Sequence, residues 1–144
     1  MPLANQTAIF LPMLAIVALT FVAFFRLASG RAAAVKAGHD PAFYRAHIGD
    51  CEPEAAAAGA RHWDNLFELP TLFYAACLTA FVLGGVTMWT LAFAWAFAAL
   101  RIAQSAVHMT YNNPAHRGIF FSLGVVAALA LWVNVALAIF AKGA

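Results

Sequence analysis

Four apolar stretches, at about 7–29, 57–85, 87–112 and 117–141, leave little room for any fold but one. Each is long enough to cross a hydrocarbon core about 30 Å thick, which takes about 20 helical residues. An open strand would leave backbone groups unpaired in lipid, so the stretches are predicted as helices. Composition points the same way. Hydrophobic residues make up 65% of the chain and charged residues 10%, against about 25% charged in an ordinary soluble domain. The expectation is an all-α protein: a single integral membrane four-helix bundle over residues 1–144, with a charged loop at about 30–56. No internal repeat is visible, and the alanine bias suits close packing of membrane helices.

The first stretch reads as a retained span. MPLANQTAIF has no basic residue ahead of the apolar run, and the run is longer than a typical signal core. Basic residues then set the orientation. Arg31, Lys36 and Arg45 lie in the first loop, bracketed by Arg26 and Arg61, while His116 and Arg117 lie in the turn between spans three and four. LGGVT, between spans two and three, carries no charge, and the C-terminus offers only Lys142. The positive-inside rule therefore predicts both charged loops in the cytoplasm and both termini outside. The net charge of +2 gives no pointer to nucleic acid; the basic loop suits topology and anionic lipid headgroups. Cys51 falls in the loop, where reduction is expected, and Cys77 in the second span, so no disulfide between them is predicted.

Within the loop, RLASGRAAAVKAG can extend the first helix until HDP at 39–41 breaks it, because the residue before proline avoids helical angles. PAFYRAHIG reads as a short interfacial segment anchored by Phe43 and Tyr44. In CEPEAAAAGA, Pro53 suits a first helical position, and Glu52 and Glu54 suit the positive end of the dipole. The second helix would thus begin in water and enter the bilayer near Arg61.

RHWDNLFELP, residues 61–70, breaks the apolar pattern. On one continuous helix, Arg61, Asn65 and Glu68 share a face; on the third helix Arg101, Gln104, His108 and Tyr111 do the same. The uncharged turn makes these helices antiparallel neighbours. Counting residues puts Glu68 and Arg101 both roughly 16 Å from the loop-side ends. The prediction is a Glu68–Arg101 pair, with Asn65 near Gln104 and Arg61 near His108. Two readings stay open. The pair can be self-neutralisation inside the bundle, or part of a site, since intramembrane ionisable groups mark function. Charge favours the site: Arg26, Arg61, Arg101 and Arg117 outnumber Asp64 and Glu68, and surplus guanidinium takes an anion, above all a carboxylate. Trp63, Trp89, Trp95 and Trp132 read as packing or interface aromatics, and His39, His47 and His116 as solvated loop residues. A haem held by His62 and His108 on facing helices is a third reading; no metal-ion site is predicted.

These residues resemble a known family. RHWDNLFELP resembles the Arg-x-x-x-Asn-x-x-Glu signature of the MAPEG proteins (membrane-associated proteins in eicosanoid and glutathione metabolism). LRIAQSAVHMTYNNPAHRGIFF resembles the family's third-helix segment, with Arg101 and Arg117 at the spacing of microsomal glutathione transferases. The resemblance covers essentially the whole chain. It implies a homotrimer with glutathione as cosubstrate between adjacent subunits near the cytoplasmic side, and a lipophilic small molecule as second substrate. Arg26, Arg61, Asn65, Glu68 and Arg101, with Gln104 beside them, match positions that bind glutathione or support its site. His108, Tyr111 and Arg117 are the implied catalytic candidates near the thiol. The implied chemistry is thiolate activation, in which a nearby guanidinium lowers the thiol pKa. Two positions depart from the family pattern. His108 stands where its enzymes usually carry tyrosine, and Gln104 where histidine is often found. Histidine can donate to a thiolate or act as a base near neutral pH. The departures place the chain in a bacterial branch, hence an inner membrane. They also leave open a non-catalytic scaffold that binds lipid or serves as an accessory subunit of a larger membrane complex.

Overall fold

The computed structural model describes residues 3–46 and 51–143, and every regular element among them is a helix. A turn of 3-10 helix (Gln6–Ile9) leads into α1 (Phe10–Lys36), and α2 (Phe43–Ala46) is a single turn in the loop. The pair α3 (Glu54–Asn65) and α4 (Leu69–Val82) makes the second span; α5 (Met88–Met109) and α6 (Pro114–Ala141) make the third and fourth. The four segments Gln6–Lys36, Glu54–Val82, Met88–Met109 and Pro114–Ala141 are long and apolar enough to cross a membrane. His47 and the end of the expected interfacial segment lie outside the described residues.

The core follows from residue size. α5 and α6 pack along much of their length, and buried Ala94, Ala98, Ala127 and Ala128 let the backbones approach closely, as lipid-embedded helices require. Across the bundle, Phe73 of α4 stacks on Phe97 of α5 with ring centroids 4.4 Å apart and 13° between planes. Ile16, Leu131 and Val135 close the same core. Outside it, Phe25, Val82, Val126, Leu129 and Phe140 are exposed. That inversion of the soluble pattern fits a lipid surround.

The turns are built by specific local chemistry. After α4 the chain turns at Gly84, whose φ of +56° suits a residue without a Cβ. Gly85 N–H then reaches the Ala80 carbonyl and Gly84 N–H the Phe81 carbonyl, both at 2.9 Å, the paired bonds of a Schellman end. Gln6 clamps the next residue: its Nε2 donates to the Val86 carbonyl (3.1 Å) and its Oε1 accepts from Val86 N–H (3.0 Å). Gln6→Leu orphans Val86 N–H, while the Val86 carbonyl keeps its 2.9 Å bond from Ala4 N–H. The change is expected to cost about 1–3 kcal/mol, read as a lowered midpoint of thermal unfolding in detergent.

The other ends differ from the sequence-based boundaries. Asn112 adopts a φ of +49°, Asn113 caps α6 by accepting from the N–H groups of Ala115 and His116, and Pro114 occupies the first turn. α6 therefore starts at Pro114 rather than 117, and His116 and Arg117 stand on helix instead of in a turn. An asparagine cap followed by proline is a recognised start signal that the charge-based boundary overlooked. In the loop, Arg31 bonds Glu52 at 3.2 Å and lies over the Tyr44 ring, 5.0 Å from its centroid. Burial and the Glu52 carboxylate raise the Tyr44 phenol above its ordinary pKa, so it stays neutral. His39, expected to be solvated, packs on Phe43 and Tyr44. Cys51 and Cys77 are both free.

Candidate functional site

Pro70 shapes the site. It has no N–H to offer the Leu66 carbonyl and sits in the first turn of α4, where proline suits a helix start, so one unbroken helix through this segment is disfavoured. The chain leaves α3 at Asn65, with Leu66 and Phe67 N–H reaching back to the Trp63 and Asp64 carbonyls at 3.0 and 2.9 Å. Glu68, at φ −80° and ψ −91°, precedes the first residue of α4. The break frees the Asn65 carbonyl from a helical partner. Arg101, from α5, donates its Nη2 to it.

This arrangement corrects two expectations. Glu68 does not continue the face of Arg61 and Asn65, because the helix stops between them. Nor does Glu68 pair with Arg101: its side chain is exposed, and the single ion pair among the described residues is Arg31–Glu52. Arg101 instead has neutral partners. Its Nη1 donates to Gln104 Oε1 at 2.6 Å, its guanidinium lies 5.7 Å from the Phe121 ring centroid, and its Nε has no partner. With the residue 1% exposed, a guanidinium is buried beside carbonyl dipoles with no carboxylate in ion-pair contact among the described residues, and Glu68 acts on it only from longer range. Such a charge is costly without an anionic partner.

Beside it lies a cleft of about 280 Å³ lined by Asn65, Gln104, Pro114, Arg117, Gly118 and Phe121. Arg117 reaches it from the first turn of α6, held by a 3.0 Å bond from Nη1 to Asn112 Oδ1; its buried Nε is also without a partner. The expected proximity of Asn65 and Gln104 is therefore realised across this cleft.

The remaining candidates are distributed differently. Arg61 and Arg26 are exposed. Arg61 lines a separate groove of about 510 Å³ between α1 and α3, with Arg31, Glu52, Trp63 and Asp64. Tyr111, 61% exposed, bonds His116 Nδ1 through its hydroxyl at 2.9 Å. His108 is 4% exposed and faces α3, not the cleft. Its ring stacks on His62 with centroids 4.8 Å apart and 29° between planes, and Arg61 is among the charges that act on it. His62 Nε2 bonds Ser105 Oγ at 2.9 Å, and His108 Nε2 is buried without a partner. Rings stacked face to face cannot ligate a haem iron from opposite sides of a porphyrin, so this geometry does not suit the haem reading.

Ser105 was missed as a member of the polar cluster, and His62 was expected opposite His108 only as a haem ligand. Ser105 lies four residues after Arg101 and three before His108, on the same helical face, which is a signal the spacing did contain. One chain thus assembles Asn65, Gln104 and Arg117 around a cleft, with Arg101 bonded behind Asn65 and Gln104 and a histidine pair nearby. Chemically it offers a surplus of fixed positive donors to an acidic ligand.

The family model for the MAPEG family matches residues 9–137. No curated protein and no solved structure matches the chain.

Proposed function

The chain belongs to the MAPEG family, and on that premise we propose that it is a membrane glutathione transferase or peroxidase acting on lipophilic electrophiles. One observation carries the reading: Arg101 is buried next to the cleft, behind Asn65 and Gln104, with no ion pair among the described residues and its Nε unused. The carboxylates of glutathione are the groups a planar guanidinium fork pairs with best. In this reading Asn65, Arg101 and Gln104 hold the peptide. Arg117 lies near the sulfur and stabilises the thiolate. The thiolate then attacks the electrophilic carbon, and the leaving group departs with its electron pair.

Arg26, Arg61 and Glu68, exposed on a single chain, belong in this proposal to the same site completed by an adjacent subunit of a homotrimer. His108 is the proposed base, by way of its unpartnered Nε2, and Tyr111 a second donor at the mouth. The charged loop faces the cytoplasm and both termini face outward, in a bacterial inner membrane. Glutathione then arrives from water and the electrophile from lipid.

A second reading has its own support. His108 is shut against His62 and does not line the cleft, which favours a non-catalytic scaffold that binds lipid or joins a larger complex. Purified protein incubated with glutathione and 1-chloro-2,4-dinitrobenzene separates the two. Saturable conjugation above the buffer rate, falling at least about tenfold in Arg117→Ala, is expected if that guanidinium supplies a charge-assisted contact to the thiolate. Glutathione binding without turnover of this or a hydroperoxide substrate would instead support the scaffold.

A further inference from the structure

A second feature lies away from the cleft, on an exposed apolar side of α5 and α6. There a groove of about 530 Å³ runs between the first turns of α5 and the second half of α6. Trp89 and Phe93 form one wall, their rings stacked 6.0 Å apart with 28° between planes. Val126, Val133 and Leu137 line the other. From Val126 to Leu137 the strip is about 16 Å long at 1.5 Å per residue, or about half of a 30 Å hydrocarbon core. It begins near the middle of α6 and ends close to the α4–α5 turn. A groove of that length, aligned with the helices, matches one leaflet.

Its polar feature is Asn134, half-buried in the α6 wall. The Thr90 hydroxyl donates to Asn134 Oδ1 at 2.7 Å, a length typical of an O–H···O bond. Thr90 is itself fixed by the cap of α5, since its Oγ1 accepts from Thr87 N–H at 3.0 Å. The amide oxygen is thereby used, and the two N–H groups on Nδ2 have no partner among the described residues. Donors left open in an apolar wall cost free energy until an acceptor arrives. In a bilayer, the acceptors just below the headgroups are the ester carbonyls of the phospholipids. Asn134 lies toward the headgroup end of the strip, where such a carbonyl would stand.

We propose that this groove is a phospholipid site: one acyl chain lies along Val126 to Leu137, and its ester carbonyl accepts a hydrogen bond from Asn134 Nδ2. The lipid belongs to the leaflet on the side of the α4–α5 turn. Trp89, at the rim, packs on the glycerol end, where membrane aromatics commonly sit.

The test compares two phosphatidylethanolamines with identical chains, one diester and one diether, so that only the carbonyl differs. Lipid retained by the detergent-purified full chain is counted by native mass spectrometry. The unmodified protein is expected to retain the diester about three- to tenfold better, the range of one intramembrane hydrogen bond. Asn134→Leu is expected to lose that preference while still holding a chain. Equal retention of both lipids by the unmodified protein would overturn the proposal, whatever the variant does. So would efficient disulfide trapping of Asn134→Cys between two copies in native membranes, because a second chain would then occupy the groove.

Discussion

Arg101→Ala is expected to weaken glutathione binding by about 30-fold or more. Truncating one partner of a buried, hydrogen-bonded charge pair costs about 2–5 kcal/mol, and each 1.4 kcal/mol is a factor of ten. The effect is large because nothing else replaces the group: Arg101 is buried, and the neighbouring Arg117 is committed through Nη1 to Asn112. Arg101→Lys sharpens the result. It keeps the charge but loses the planar fork, so it is expected to recover only part of the affinity. Both variants also strip the Asn65 carbonyl of its guanidinium partner. Unfolding midpoints measured beside the titrations therefore distinguish lost recognition from a collapsed site.

Phe73→Ala is expected to produce the largest loss of stability, about 3 kcal/mol. Phe73 and Phe97 are both fully buried and stacked 4.4 Å apart. In soluble cores Phe→Ala costs about 3–5 kcal/mol, part transfer and part cavity. The low end applies here because lipid is as apolar as the core, leaving chiefly the lost packing. Phe97 lies one turn before Arg101 on α5, so the stack also holds α4 against the helix that carries the guanidinium. Unfolding in mixed micelles, followed by circular dichroism, measures the loss. Phe73→Leu, which keeps much of the volume, is expected to lose less than half as much.

Much of the architecture was legible because lipid permits few alternatives. A run of apolar residues such as 117–141 has one solution in a bilayer, and four of them made the spans readable from length alone. The break inside the second span was less legible. Pro70 was in plain view, but a face drawn at 100° per residue through Arg61, Asn65 and Glu68 assumed a continuity that Pro70 denies. That one assumption produced the unrealised Glu68–Arg101 pair. The Asn65–Gln104 proximity survived because both residues lie on the cleft side of the break. His62 and His108 were read as facing each other, but as haem ligands; that their rings stack directly depends on helix rotation, and spacing within α5 does not fix the rotation of α3. Gln6 and Asn134 act through contacts 80 and 44 residues apart in the chain, beyond the reach of any local pattern.

The central claim is that the cleft beside Arg101 takes an acidic thiol through its carboxylates. Calorimetric titration of glutathione into the detergent-purified protein, beside the same titration with glutathione diethyl ester, tests it most directly. Saturable binding of glutathione, lost on esterification while the thiol is unchanged, is the predicted result. Equal binding of both, or binding of neither, would contradict it, and Arg101 would then stand as a structural brace for the break at Asn65.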